Sequence, residues 1–283
     1  MKKSVVCLGL GGILIGSVVS NGWAGSLVHM DKNTGKDGTK DSIKIEVFYE
    51  PVYFKWTEKE NDIKLLTEKG WLNKGKIGIK IGTHYYVKPS FTIYGGDIKY
   101  DGGSWDGEKV KSRTNYSGYE VALAGGVEKK IGKTTIDAYI KTGVERWKRS
   151  IESNLSEEDT LVIGYGEKWK MWYWQVGIAP YYESSNNISL FGNLYVKRPF
   201  KVKNEVEIFD VEVEPGKKWN YGAEIGVEIK NMIKQKVNGK IAFFYEEEKF
   251  GKSDLKYSNV IDLYLYQPES KRQQYGIKLG INF

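Results

Sequence analysis

The chain has 283 residues, with 43 Lys and Arg against 36 Asp and Glu, a formal charge of +7 and a mean hydropathy of −0.48. Tyr (20), Trp (9) and Gly (33) are abundant and Pro (6) is scarce, while two histidines and one cysteine leave little material for paired-histidine or thiolate metal sites. These values fit a basic soluble protein. They fit equally a membrane β-barrel, in which only alternate strand residues meet lipid and the loops are polar.

The chain opens with the basic MKK, followed by the apolar run VVCLGLGGILIGSVV, which is too short to span a bilayer with comfort. Small residues at Gly22 and Ala24 then offer a cleavage site, so residues 1–24 read as a secretory signal peptide. Cleavage after Ala24 would take Lys2 and Lys3 and no acid, lowering the charge of +7 by two to +5. It would also remove Cys7, leaving an exported protein without disulfide or thiol chemistry. Residues 25–41 are polar and aperiodic and read as a loose tail.

From Ser42 onward the sequence alternates with period two, the primary strand signal. GKIGIKIGTHYYV sets Ile77, Ile79, Ile81 and Val87 against Lys76, Lys80 and His84. TTIDAYIKTGVERW sets Ile136, Ile140 and Val144 against Asp137, Lys141 and Glu145. NYGAEIGVEIK sets Ile225 and Val227 against Glu224 and Glu228. QQYGIKLGINF sets Tyr275, Ile277, Leu279, Ile281 and Phe283 against Gly276, Lys278 and Gly280. Ten strands are predicted, over 42–57, 74–87, 90–101, 116–128, 134–148, 166–183, 187–200, 217–230, 237–248 and 268–283. Short connections at Lys88-Pro89, 129–133, 184–186 and 231–236 alternate with long polar ones at 58–73, 102–115, 149–165, 201–216 and 249–267. An even strand number with short–long alternation predicts an all-β fold, a closed antiparallel transmembrane β-barrel over 42–283, with ten strands or alternatively eight or twelve. Short turns then face the periplasm and long loops the outside. A soluble β-sandwich is the competing reading, but it calls for no such alternation. Trp71, Trp147, Trp169, Trp172, Trp174 and Trp219 lie near strand ends, where interfacial girdles are expected. Alternation within 202–214 and around Ile261, Leu263 and Leu265 predicts a β rim raised above the membrane.

The last strand, apolar at every second position and closing on Phe283, resembles the assembly signal of Gram-negative outer-membrane proteins. That resemblance implies insertion by the barrel-assembly machinery, closure of the last strand on the first, and residence in the outer membrane. In size the chain resembles the omptin proteases, which use a His-Asp pair and further acids at the extracellular rim. That motif is missing: His29 falls in the tail, and His84 lies near the lower end of its strand with no adjoining acid. Outer-membrane phospholipases carry a motif resembling H-x-S-N-G, and the only SNG here is Ser20-Asn21-Gly22, inside the signal. No catalytic, cofactor or metal residues are therefore expected. The acids Glu157-Glu158-Asp159 and Glu246-Glu247-Glu248 offer at most a calcium site and read better as solvated loops.

Parity assigns Lys76, Lys80, His84, Glu120, Asp137, Lys141, Glu145, Glu224, Glu228 and Lys278 to a polar lumen. In a barrel this narrow, long charged side chains must meet, so a lumen plugged by ion pairs is expected. The bases Arg146, Lys148, Arg149, Lys197, Arg198, Lys217, Lys271 and Arg272 stand at the outer strand ends, where they would reach lipopolysaccharide phosphates. The expected protein is a monomeric, non-enzymatic barrel with a structural role or an unknown extracellular ligand; a small pore is the alternative, and an outer-membrane hydrolase is a third reading that lacks its rim dyad. Nucleic acid is excluded as a partner by export and by the mixed-sign loops.

Overall fold

Alternate side chains leave a strand on opposite sides, so a long run of alternating polarity pairs into a two-faced sheet. The computed structural model describes residues 43–103, 107–232 and 237–283. The expected signal peptide and tail lie outside the described residues. Ten long strands follow in chain order: β1 (Ile43–Glu60), β2 (Ile63–Gly82), β3 (Tyr85–Gly103), β4 (Lys109–Ile131) and β5 (Thr134–Ile151). They continue as β6 (Gly166–Glu183), β7 (Ile188–Val206), β8 (Asn220–Ile229), β9 (Asn238–Gly251) and β10 (Glu269–Asn282). Each pairs antiparallel with the next. β10 returns to β1, with Glu269 opposite Lys59 and Asn282 opposite Glu46. The barrel is closed, so its ten long strands leave no free sheet edge. Short strands Val211–Val213 and Gly216–Lys217 extend the sheet at the rim.

Strands β1 to β7 run 18 to 23 residues, against the ~9–11 that cross a bilayer at ~45°. The strands therefore continue far past the apolar belt, and their chemistry inverts as they do. On β5 the outward set Ile136, Ile140 and Val144 gives way to Arg146 and Lys148, while the inward set Asp137, Lys141 and Glu145 gives way to Trp147. Below, the wall is apolar outside and polar inside, as a membrane requires; above, it is polar outside and lined by an aromatic layer inside that encloses buried charge. The inner cluster of the upper half includes Phe54, Trp56, Trp147, Trp169 and Phe250, all no more than 3% exposed. Trp147 stacks on Trp169 at 5.2 Å, and Trp56 meets Trp169 edge-on at 5.2 Å.

Several expectations are corrected. Trp147 and Trp169 belong to this inner layer, not to a girdle; Trp71, 60% exposed, packs on Tyr53 outside. The turn expected at Lys88-Pro89 lies at Thr83 and His84, and Lys88 sits within β3 facing Glu46. Lys-Pro reads as a turn, but the outward set Tyr85, Val87, Pro89 and Phe91 runs straight through it. The expected long loop 58–73 is two strands joined at Asn61 and Asp62, whose φ of 47° and 66° is the left-handed geometry of a tight hairpin. The rim at 202–214 is strand through Val206, a 3₁₀ turn at Glu207–Phe209, then Val211–Val213 returning along β7.

Candidate functional site

The lumen gathers most of the buried charge. Its lower half holds a cavity of about 630 Å³ whose lining includes Lys76, Lys80, Glu120, Asp137, Lys141, Glu224, Glu228 and Lys278. Lys278 of β10 reaches Glu224 at 2.6 Å and Glu50 at 3.7 Å. Lys141 holds Glu120 at 2.7 Å, Lys240 bridges Glu46 at 2.9 Å and Glu228 at 3.5 Å, and Lys80 pairs with Glu128. The Tyr86 hydroxyl donates to Asp137 at 2.9 Å. Lys76 lines the same space, and among the described residues no carboxylate is in ion-pair contact with it. Glycines make room in the lumen: a Cβ on Gly126 would stand 2.6 Å from the Tyr86 hydroxyl, and one on Gly226 2.6 Å from Ala242 Cβ and 2.6 Å from Phe191.

Above the cavity the charges close ranks. Arg272 is bidentate to Glu145, at 2.9 and 2.7 Å, and also binds Glu248. Lys197 joins Glu248 and lies 3.4 Å from Glu246, and the Tyr94 hydroxyl donates to Glu145 at 2.7 Å. Higher still, within the aromatic layer, Arg149 meets Glu58 at 2.9 Å, Glu68 at 3.0 Å and Glu167 at 3.0 Å. The indoles of Trp56 and Trp169 donate to Glu58 and Glu167 at 2.8 Å each. Three carboxylates thus share one guanidinium in a region above the belt. Burial pushes the Glu58 carboxyl up; Arg149 opposes this and the Glu167 charge adds to it. On the exposed rim the effect reverses, for Lys168 hydrogen bonds to Glu207 and holds its carboxyl below the usual range.

The residues expected at lipopolysaccharide divide. Arg149, Lys197 and Arg272 are at most 3% exposed and point inward, so none of them reaches lipid. Their parity decides it: Arg149 lies four residues beyond Glu145, and Arg272 six before Lys278, on the same side of each strand. Arg146 and Lys148 are exposed on the outer wall, and Lys217 is exposed at the rim opposite Phe250; Arg198 and Lys271 are half-buried. His84, expected in the lumen, is exposed in the β2–β3 turn with its ring 4.6 Å from Tyr85, because the strand ends two residues before it. Glu145 belongs to the charge layer above the cavity. The Glu246-Glu247-Glu248 run is strand, not loop, and alternation splits it: Glu246 and Glu248 face Lys197, while Glu247 pairs with Lys249 at 3.0 Å. Tyr275, Ile277, Leu279 and Ile281 share the outward face of the wall at β10, and Phe283, just past its end, exchanges backbone hydrogen bonds with Ile45 of β1.

No family model matches the chain, and no curated relative does. Solved structures show its fold. The outer-membrane protease OmpT from Escherichia coli superposes with a TM-score of 0.59 at 12% identity, covering 88% of this chain and 98% of that one. The fold is that of outer-membrane β-barrels. The transport unit of the autotransporter AIDA-I from Escherichia coli gives 0.48 at 12% identity, over 91% of this chain and 95% of that one. The translocator domain of the autotransporter NalP from Neisseria meningitidis gives 0.43 at 11% identity, over 92% of each. At such identities the likeness is one of architecture alone.

Proposed function

We propose that the protein is a monomeric, non-enzymatic barrel of the bacterial outer membrane, with a plugged lumen and a structural or surface-binding role. One observation carries this reading: Arg272 and Glu145 join opposite walls directly above the cavity, and the aromatic layer with Arg149 lies over them. A solute rising from the cavity would have to break buried ion pairs and then part packed indoles. Export by residues 1–24 and insertion through the outward face of β10 by the barrel-assembly machinery belong to the same reading. A raised β rim with exposed Leu161, Ile163, Leu263 and Tyr264 supports a surface ligand. The cavity favours one alternative, a small pore gated by the charge layer. Conductance in planar bilayers separates the two. The proposal expects no more than brief flickers at neutral pH, and a steady open state of porin size would overturn it.

A further inference from the structure

The outer wall carries cations that the lumen does not account for. On β1 and β2 the girdle residues Tyr53 and Trp71 stand opposite each other, and the next outward residue above each is a lysine, Lys55 and Lys69. The strand register places Lys55 opposite Lys69, Lys69 opposite Lys99, and Lys99 opposite Arg113. A second arc crosses β5 to β7. Arg146 stands above Val144 and opposite Lys170, and Lys201 stands opposite Trp172, with the Lys170 ammonium 4.0 Å from the Trp172 ring.

Like charges placed directly opposite on adjacent strands repel, at side-chain separations of ~4.5–5.5 Å. Elsewhere on this wall the repulsion is relieved: Lys148 and Lys168 share Glu207, and Lys203 takes Glu212. Among the described residues, no carboxylate lies in ion-pair contact with Lys55, Lys69, Lys99, Arg113, Arg146, Lys170 or Lys201. Twelve residues separate Thr134 from Arg146 on β5. At ~3.3 Å per residue and a tilt of ~45°, that is a rise of about 28 Å, just over an apolar band ~25 Å tall. An outer-wall groove of about 780 Å³ lies beside the second arc, with Phe91, Ile93, Tyr119, Arg146 and Lys170 in its lining, which continues past Arg146 to Lys148 and to Glu205 and Glu212.

We propose that the two arcs bind a phosphorylated acyl glycolipid of the surrounding leaflet, its phosphates on the cation rows and its acyl chains against the apolar wall below. This rests on the outer-membrane reading above and names the lipid partner of that barrel. Several phosphates per molecule answer several cations per row, and the missing countercharges come from the ligand. Phosphate on Lys and Arg gains charge-assisted hydrogen bonds, which are strongest beside a low-dielectric surface.

The test uses the full barrel purified in neutral detergent, with retained lipid read by native mass spectrometry and affinity by titration. The probe is hexa-acylated diphosphoryl lipid A; its fully dephosphorylated form and phosphatidylglycerol are the comparisons. Diphosphoryl lipid A should bind at least about tenfold more tightly than either, with an affinity that falls as salt rises. K55Q/K69Q and R146Q/K170Q should each weaken binding roughly ten- to thirtyfold. K252Q, which touches a lysine already paired with Glu60, should leave binding unchanged. Equal binding of the dephosphorylated form, or unchanged binding by both double variants, overturns the proposal. Equal binding of phosphatidylglycerol overturns it in favour of a general anionic-lipid surface. All four substitutions relieve repulsion on an exposed wall and should fold; the single variants K69Q and R146Q give the same readout at smaller amplitude. Bilayer conductance is independent of these outcomes, so loss of lipid binding with a closed barrel would sink this inference and leave the proposed function standing.

Discussion

Arg272 on β10 and Glu145 on β5 stand five strands apart whichever way the barrel is counted, and they are joined by hydrogen bonds of 2.9 and 2.7 Å. An ion pair across a full diameter fixes the cross-section of the barrel as well as filling it. Both groups are buried, so removing one strands the other in low dielectric, at about 3–5 kcal/mol. Arg272→Met leaves Glu145 and Glu248 with only Lys197 between them, whereas Glu145→Gln leaves Arg272 its bond to Glu248. Thermal unfolding in detergent should therefore show R272M as the worse of the two, with the double variant better than the sum of the singles. Equal and additive losses would argue against a coupled charge layer.

The aromatic layer should behave as a packed core. Trp169 is 1% exposed and touches Trp56, Trp147 and Phe250 at ring distances of 5.2, 5.2 and 5.5 Å. Truncating it to Ala opens a large cavity and also leaves Glu167 without its indole donor, so a loss of about 3–5 kcal/mol is expected. Trp71→Ala, on the outer girdle, should cost clearly less in the same unfolding measurement. A reversed order would place the core elsewhere.

How far this was legible in the sequence varies along each strand. Parity was legible along most of each strand: Trp147 and Arg149 share the side of Asp137, Lys141 and Glu145, and Lys197 that of Tyr195; the irregularity opposite Trp172 and Tyr173 then shifts β7, whose buried side passes from Lys197 and Pro199 to Val202 and Asn204. Reading a base near a strand end as outward overrides that parity, and it fails at Arg149, Lys197 and Arg272. Depth was not legible, because nothing local marks where the membrane stops. Above that level charges stand on both faces, Lys59 and Lys69 outside and Glu58 and Glu68 inside on Arg149, which makes TEKENDIKLLTEKG resemble a loop. Lys69 and Arg113 of the basic arcs were hidden in such stretches. Even there Asn61-Asp62 was a hairpin signal, since both residues tolerate the left-handed backbone that the turn adopts.

Assignment of faces has its own test. Ile225 is 69% exposed on the outer wall and Gly226 points into the lumen against Ala242 and Phe191. Ile225→Arg should cost ~2–4 kcal/mol near the middle of the apolar belt, measured as the shift in folding equilibrium into lipid vesicles. Gly226→Arg should block assembly outright, because no neighbour there can withdraw. A well-assembled G226R barrel would contradict the inward placement of that glycine.

The Arg149 cluster predicts a pH dependence of definite sign. Glu58 lies above the belt, between Arg149 at 2.9 Å and the Trp56 indole at 2.8 Å, with Glu167 sharing the same Arg149 nitrogen. Burial raises its carboxyl above the ordinary range, and the neighbouring carboxylates keep it there despite Arg149. A raised folded pKa means that the folded chain holds a proton the unfolded chain has already released. That contribution to stability is complete below the unfolded pKa and is lost as pH climbs through the folded one. At the rim, half-buried Glu60 and exposed Glu207, held low by Lys252 and Lys168, act in the opposite sense and lose their contribution as pH falls. Glu58→Gln isolates the first effect, because the amide stays neutral at every pH and both rim pairs remain. Melting temperatures of parent and E58Q, measured from about pH 4 to 9, should diverge with rising pH, the parent falling relative to the variant. A constant offset between the two curves would mean that Glu58 is already ionised in the folded barrel at the acid end, and that Arg149 outweighs the burial of its three carboxylates.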